Sequence, residues 1–413
     1  MPPSPREAAH APLRPPSGPA GDGAPPGFRR AEFLPFSRPS IGDEEVAAVV
    51  ETLRSGWLSA GPRTEEFEGD FRGYTGAPAA LALNSCTAGL HVALVALGIG
   101  PGDEVVTTPM TFAATANVVE HTGARPVLAD VAPDTLNLSP ERVAEVLTPR
   151  TRAILPVHYA GHPADLDPLH ELARGRGLAV VEDAAHALAA SYRGRRVGSG
   201  ENPAAFSFYA TKNLTTGEGG MLTGSAELVA RARVIGFHGM SRGAWSRHRA
   251  AAGWRYEVEL PGFKYNMSDL QASLGLCQLR RLEALQARRR AIVALYQRAF
   301  AAEEALEPPV ERAEVEHAWH LYVLRIRPGV LRIDRDRVIE ELARRNVGTS
   351  VHFIPVHLQP YFRDRYGYRP HDFPVAVDGY ARMLSLPLYP DLSDADADDV
   401  VSAVLDVVRT FRR

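Results

Sequence analysis

Between Ala79 and Glu182 the chain alternates short apolar runs with helix-like stretches, and this rhythm restricts its fold more than any other feature. Ala80-Leu-Ala-Leu83, Glu104-Val-Val-Thr-Thr108, Arg125-Pro-Val-Leu-Ala129, Ala153-Ile-Leu-Pro-Val157 and Leu178-Ala-Val-Val-Glu182 read as strands. Thr87 to Leu97, the stretch around Ala113 to Thr122, Pro140 to Leu147 and Leu166 to Arg176 read as the helices between them. Near-continuous apolar strands alternating with helices predict an α/β fold. Its sheet should be mostly parallel and covered by helices on both faces.

After Gly262 the pattern changes. Ser268-Asp-Leu-Gln271 is a capping-box sequence and opens a helical run to about Phe300. A strand at Leu321 to Ile326, a helix from Arg335 to Arg345, a strand at Thr349 to Phe353 and a C-terminal helix follow. This predicts a smaller C-terminal α+β domain over 281–413, behind a large domain over 33–280. The last helix opens on Ser393-Asp-Ala-Asp-Ala-Asp-Asp399. Carboxylates there are stabilised by the helix dipole, so no metal site is read into the run. The first thirty residues hold nine prolines and four glycines. Residues 1–32 are therefore expected to be a disordered tail, with structure beginning near Phe33-Leu-Pro-Phe36.

A chain of 413 residues suits two domains, and 45% apolar with 23% charged residues is ordinary for a soluble globular protein. A net charge of −3 gives no reason to expect nucleic acid or an anionic membrane as partner. There is no signal-peptide pattern and no apolar run of membrane-spanning length. Two cysteines, Cys86 and Cys277, cannot build a disulfide framework. The expected compartment is the cytoplasm.

The basic residues carry an unusual signal: 44 are arginine and two, Lys212 and Lys264, are lysine. Arginine cannot supply a compact amine whose pKa can be lowered and which attacks a carbonyl. Lys212 follows the aromatic strand Ala205-Phe-Ser-Phe-Tyr and precedes the glycine-rich Gly217-Glu-Gly-Gly220. That setting favours Schiff-base chemistry over leftover codon usage. Lys264, in Pro261-Gly-Phe-Lys-Tyr265, is either a contact for a substrate diphosphate or a solvated loop lysine.

Dinucleotide and P-loop signatures are absent: Gly98-Ile-Gly-Pro-Gly102 lacks the required spacing, and neither lysine follows the P-loop glycines. His158-Tyr-Ala-Gly-His162 spaces two histidines by four, but Gly161 and Pro163 argue against a zinc-binding helix. Three segments form a more coherent set. Asn84-Ser-Cys-Thr-Ala-Gly-Leu-His91 runs from a strand end into a helix, whose free N–H groups suit a phosphate. Val180-Val-Glu-Asp-Ala-Ala-His186 places a carboxylate at the end of a buried parallel strand, where α/β sheets bind ligands. The Lys212 segment, with Ser207 five residues earlier, is the third. Phosphate cradle, carboxylate and lysine are together what pyridoxal phosphate requires.

Ile154-Leu-Pro-Val-His-Tyr-Ala-Gly161, Glu182-Asp-Ala-Ala-His186, Phe206-Ser-Phe-x-x-x-Lys212, Gly217-Glu-Gly-Gly220 and Tyr265-Asn266 closely resemble the DegT/DnrJ/StrS family of sugar aminotransferases. Gly56 to Pro62, His317 to Tyr322 and Ser385 to Pro390 extend the resemblance over roughly residues 33–413. It implies a fold-type I transferase that uses pyridoxal phosphate. Lys212 would bond the cofactor and shuttle the proton, Asp183 would face the pyridine nitrogen, and His186 the ring hydroxyl. Phe112 would stack on the ring. Cys86 (through its backbone), Thr87 and Ser207 would hold the phosphate, with Asn266 reaching in from a second subunit of a homodimer. His158, His317, His320 and His352 are either contacts in a sugar-nucleotide pocket or satisfied buried histidines. Family members with histidine in place of the lysine act as dehydratases, and Lys212 disfavours that branch.

The resemblance further implies L-glutamate as donor and a UDP- or dTDP-linked 4-keto sugar as acceptor. His186, where many 3-aminotransferases carry glutamine, and the run Gly262 to Gln271 point to the 4-position. Phe237-His-Gly239 and His317-Ala-Trp-His320 point the same way. A 3-keto sugar or cyclitol substrate, and a binding protein that lost the chemistry, are the alternatives.

Overall fold

The computed structural model describes residues 27–240 and 256–413. Its central sheet arises from β1 (Ala79–Leu83), β2 (Glu104–Thr107), β3 (Arg125–Leu128), β4 (Thr151–Leu155), β5 (Ala179–Val180), β6 (Glu182–Asp183), then, after the small hairpin β7 (Ser191–Tyr192) and β8 (Arg195–Arg196), β9 (Ala204–Ser207) and β10 (Gly220–Gly224). The strands pair in the orders β3-β2-β4-β5 and β1-β10-β9-β6. Only Val181 separates β5 from β6, and Val157 bridges Asp183 in parallel, so the two sets are continuous. Only β10 runs antiparallel to its neighbours, because a turn carrying Lys212 sends the chain straight back from β9. The other pairs are parallel, in keeping with the apolar strands.

Helices cover both faces. Helices α1 (Asp43–Ser55) and α2 (Pro62–Thr75) precede the sheet, and α3 (Cys86–Ala96), α4 (Ala113–His121), α5 (Pro140–Val146) and α6 (Leu166–Arg176) connect its strands. Helix α7 (Ala226–Ile235) follows β10. On one face, Leu90, Val92 and Leu94 of α3 pack with Leu81, Leu83, Ala205 and Leu222 of the sheet. On another, Phe67 and Phe71 of α2 pack against Phe206 and Phe208 at centroid distances of 5.2 to 5.7 Å.

Helix α8 (Asp269–Phe300) starts where the sequence placed it: Ser268 accepts from Gln271 N, and the Gln271 side chain accepts from Ser268 N. Its first half, with Leu276, Leu279 and Leu282, belongs to the aromatic core over the sheet. Its second half, with Ile292, Val293, Tyr296 and Phe300, enters a different core. There it meets β13 (Tyr322–Ile326) and β14 (Met383–Leu386), which form an antiparallel sheet with β11 (Leu306–Glu307). The short β12 (Val315–Glu316) instead pairs with β7. Helices α9 (Arg335–Arg344), α10 (Pro360–Tyr366), α11 (Pro374–Arg382) and α12 (Asp394–Phe411) complete this half.

Two expectations are corrected. Order begins before Phe33: Arg30 donates to Asp396 and Asp399 at 2.6 Å each, and Phe28 and Leu34 pack into the C-terminal core. Apolar anchors and a two-carboxylate ion pair fix a segment whose composition looks like tail. Residues 1–26 of the expected tail lie outside the described residues. Thr349 to Phe353 is not a ladder strand; it makes one bridge, Ser350 to Ser385, and then turns away. The Tyr159 hydroxyl takes the His352 carbonyl that a neighbouring strand would have used. The acidic start of α12 is engaged by Arg30, by Arg288 on Asp394, and by the Ser393 cap.

Candidate active site

The carboxyl ends of the parallel strands open on a cavity of about 500 Å³, lined by Ser85, Cys86, Thr87, Phe112, Thr115, Asp183, His186, Ser207, Lys212, His320, His352 and Phe353, among others. Seven residues proposed from sequence for cofactor contact thus share one space: Cys86, Thr87, Phe112, Asp183, His186, Ser207 and Lys212.

At one end lies the start of α3. Ser85 caps it by accepting from Ala88 N at 3.0 Å. First-turn N–H groups have no partner within a helix, and Cys86 and Thr87, which carry two of them, line the cavity. The Cys86 thiol points away from them, donating to the Ala205 carbonyl at 3.2 Å. Strand β10 starts unusually close to this helix. A Cβ on Gly220 would stand 2.4 Å from the Ser85 carbonyl carbon and 2.5 Å from Cys86 N, so only glycine permits the approach. The glycines after Lys212 therefore set the helix end against the lysine turn.

Asp183 ends β6 and is buried. Its Oδ2 accepts from Thr115 at 2.8 Å and its Oδ1 from Ala185 N at 3.1 Å. Thr115 donates to the carboxylate, so in its contact with Thr111 at 2.7 Å it accepts. Burial raises the Asp183 pKa against these hydrogen bonds and against the charges of Lys212 and His158. Lys212 caps the turn after β9, its N–H donating to the Tyr209 carbonyl at 2.9 Å. Burial lowers its amine to about 8, although Cys86 and Asp183 pull it upward. A minority of the amine is therefore neutral near physiological pH, far more than for an ordinary lysine, and that fraction is the nucleophile.

His186 is buried, and among the described residues its Nδ1 has no hydrogen-bond partner. Burial, then Lys212 and His352, hold its pKa well below the usual range. Its ring lies 5.8 Å from Phe353, stacked, and 4.4 Å from His320. Phe112 is 63% exposed at the start of α4, with its ring 5.8 Å from Phe353. An exposed aromatic inside a cavity, an orphaned imidazole nitrogen, a buried carboxylate and a free helix N-terminus fit a planar, protonated ring that carries a phosphate.

Of the histidines proposed for a substrate pocket, His320 and His352 line the cavity. His158 and His317 do not, which favours the buried-histidine alternative for these two over the pocket contact. His158 is sealed behind β6, with Nε2 3.0 Å from Glu182 and Nδ1 accepting from Ala164 N at 3.0 Å. His317 stacks on Trp319 at 3.9 Å and accepts from its N–H at 2.8 Å. His158 thus has both ring nitrogens engaged by the protein, and His317 has its Nδ1 engaged. Asn266 and Lys264 also lie outside the cavity lining of their own chain: Asn266 bridges Leu83 and accepts from Lys264, whose amine lies 4.4 Å over Phe237. Sequence reading missed Thr115 and Phe353. Thr115 lies one helical turn after Thr111 beside a singled-out aromatic, a spacing that could have found it. Phe353 sits in no motif.

Residues 39–405 match the profile of the DegT/DnrJ/EryC1/StrS aminotransferase family. The spore coat polysaccharide biosynthesis protein SpsC of Bacillus subtilis (strain 168) is 52% identical over 383 residues, covering 92% of this chain and 98% of that protein. The putative sugar aminotransferase Spr1654 from Streptococcus pneumoniae, in its PMP form, superposes with a TM-score of 0.86 at 34% identity, over 91% of this chain and 99% of that one. Helicobacter pylori PseC, an aminotransferase involved in the biosynthesis of pseudoaminic acid, gives 0.85 at 28% identity, over 92% and 100%.

Proposed function

Because the chain belongs to the DegT/DnrJ/EryC1/StrS aminotransferase family, we propose that it moves the amino group of L-glutamate to C4 of a nucleotide-linked 4-keto sugar. It is a pyridoxal-phosphate-dependent sugar aminotransferase. One observation carries the assignment of roles. An amine lowered to about 8 shares a cavity with a buried, hydrogen-bonded carboxylate and a helix N-terminus.

Pyridoxal phosphate, when bound, supplies an aldehyde that captures amines and a ring that takes up electrons when the substrate carbon loses its proton. The residues do the rest. Lys212, in its neutral form, would be the amine that bonds the cofactor, and the same amine would carry the proton to and from the substrate carbon. Asp183, whose charged form the Thr115 hydroxyl and the Ala185 N–H favour against its burial, would face the ring nitrogen and favour a positive charge there. The start of α3 with Ser207 would hold the phosphate, and Phe112 would cover one face of the ring. His186, with an imidazole nitrogen that has no partner among the described residues, would hydrogen-bond on the side of the ring hydroxyl.

Amination at C4, in preference to C3 or a cyclitol, rests on His186 at the position three after Asp183. The test is a panel of UDP- and dTDP-linked 3-keto and 4-keto sugars with L-glutamate, scored by product mass and NMR. Turnover confined to 3-keto compounds defeats the C4 assignment.

The same reading makes the protein a homodimer with shared sites. Lys264 and Asn266 sit outside their own cavity, and α1 shows solvent a stripe of Val46, Val50 and Leu53, spaced as one helical face. Mixing Lys212→Ala with Asn266→Ala subunits should restore activity. Failure to recover, with hybrids shown to form, refutes shared sites.

A further inference from the structure

Behind Lys212 lies a buried polar network to which the reaction, as derived so far, assigns no task. Asn213 Nδ2 donates to the Ala318 carbonyl at 2.7 Å and to Gln286 Oε1 at 3.2 Å. Gln286, reaching in from α8, donates its own Nε2 to the same carbonyl at 2.7 Å. A backbone carbonyl can only accept, so both amides are oriented by chemistry. The Asn213 oxygen is left facing His320 Nδ1 at 3.2 Å, and this nitrogen must therefore carry the proton.

A second proton on His320 is opposed from every side. Burial comes first, followed by the charges of Lys212, His186, Arg289 and His352. Arg289 is itself buried and has no carboxylate partner among the described residues; it donates to the Leu388 carbonyl at 2.8 Å. His320 is thus neutral, and its Nε2 is a bare lone pair. Among the described residues that nitrogen has no hydrogen-bond partner, and His320 lines the cavity. The ring is also fixed in place. A Cβ on Gly161, whose φ is +101°, would come within 2.9 Å of the His186 carbonyl and 3.0 Å of His320 N, so that glycine lets the two histidine segments meet.

We infer that Asn213 and Gln286 are positioning residues that lock His320 as the Nδ1–H tautomer, so that its Nε2 accepts a hydrogen bond from a hydroxyl of the keto sugar. This rests on the sugar-aminotransferase reading of the cavity. A fixed acceptor favours a substrate with a hydroxyl at that spot and gives nothing to a carboxylate. It therefore discriminates in the sugar half of the reaction and not in the glutamate half.

The tautomer is read directly by ¹⁵N NMR of the histidine-labelled holoenzyme, with the His320 signals assigned by their loss in His320→Gln. The expected pattern is a protonated Nδ1 and a bare Nε2, unchanged from about pH 6 to about pH 8. An Nε2–H or doubly protonated ring overturns the proposal. Kinetically, Gln286→Leu, which touches neither Lys212 nor the cavity, should raise KM for the keto sugar roughly tenfold. The glutamate half-reaction, followed by loss of the cofactor's visible absorbance, should stay within about twofold. Equal damage to both halves refutes a positioning role. His320→Gln, which can present an oxygen near the Nε2 position, should recover part of the sugar affinity that His320→Phe loses; equal loss in both also counts against the proposal. The NMR result needs no sugar. Its failure is therefore distinct from failure of the functional reading, which would appear as no turnover of any keto sugar.

Discussion

The wall of the cavity that comes from the sheet and the wall that comes from the C-terminal half hold their polar groups by different means. On the sheet side, Asp183, Lys212 and the start of α3 are placed first by local backbone, a strand end, a tight turn and a helix start, with Thr115 and Ser85 adding side-chain hydrogen bonds to the first and last. On the other side, His320 and His352 depend on side-chain partners, Asn213 for one and Ser385 for the other. Backbone placement tolerates little variation and suits groups that every turnover needs. Side-chain placement can be altered singly, and it suits groups that select a substrate.

Substitutions can break this division, and the largest effect belongs to the sheet side. Lys212→Arg keeps the charge but removes the nucleophilic amine, and turnover should fall by more than roughly a thousandfold. The same residue can be titrated in cofactor-free protein by trapping pyridoxal with borohydride. Because burial lowers its amine to about 8, labelling at Lys212 should rise through about that pH. A pyridoxyl peptide containing Lys264 would contradict the assignment. Asp183→Asn comes next, with a loss of roughly a hundredfold in kcat, since an amide cannot balance a positive ring nitrogen.

Thr115→Val is the finer probe. A hydrogen bond to an ionised acceptor contributes about 1.5–3 kcal/mol. The Thr115 hydroxyl favours the charged form of Asp183, so its loss moves that pKa further up. The acidic limb of the pH–rate profile should shift to higher pH, with roughly tenfold lower activity at its foot. An unmoved limb would mean that Asp183 does not control it. The smallest effect on catalysis is expected from His158→Phe, which changes a histidine outside both walls. Activity at saturating substrate should stay within about threefold, while calorimetry shows a loss of about 1–3 kcal/mol for each buried partner left unpaired, Glu182 and Ala164 N. A large loss of kcat with unchanged stability would return His158 to the pocket.

The same division explains what could be read without coordinates. The sheet-side groups lie in short contiguous segments, where strand end, cap and turn follow from local rules, and those segments placed Lys212, Asp183 and the start of α3 correctly. The parallel sheet was legible for the same reason, since apolar strands and helices alternate at fixed spacing. The antiparallel course of β10 was not, because nothing local says which way a chain leaves a glycine-rich turn. Histidines defeated sequence reading more thoroughly. His158 and His320 flank similar aromatic segments, yet one is sealed against Glu182 and the other opens on the cavity. The partners that decide this, Glu182 and Asn213, are 24 and 107 residues away in the chain. Arg30 teaches the converse, since a proline-rich context concealed an anchor whose partners lie more than 360 residues downstream.

Helix α8 has one more consequence. It runs unbroken from the aromatic core over the sheet into the core of the C-terminal half, with Gln286 near its middle. A rod shared by two bodies makes a poor hinge, because bending it there would break ladder hydrogen bonds and part the apolar contacts on both sides. Scattering curves with and without keto sugar should therefore superpose. Substrates meet walls that already stand at their working distance, and selection falls to what the walls present and not to how far they travel.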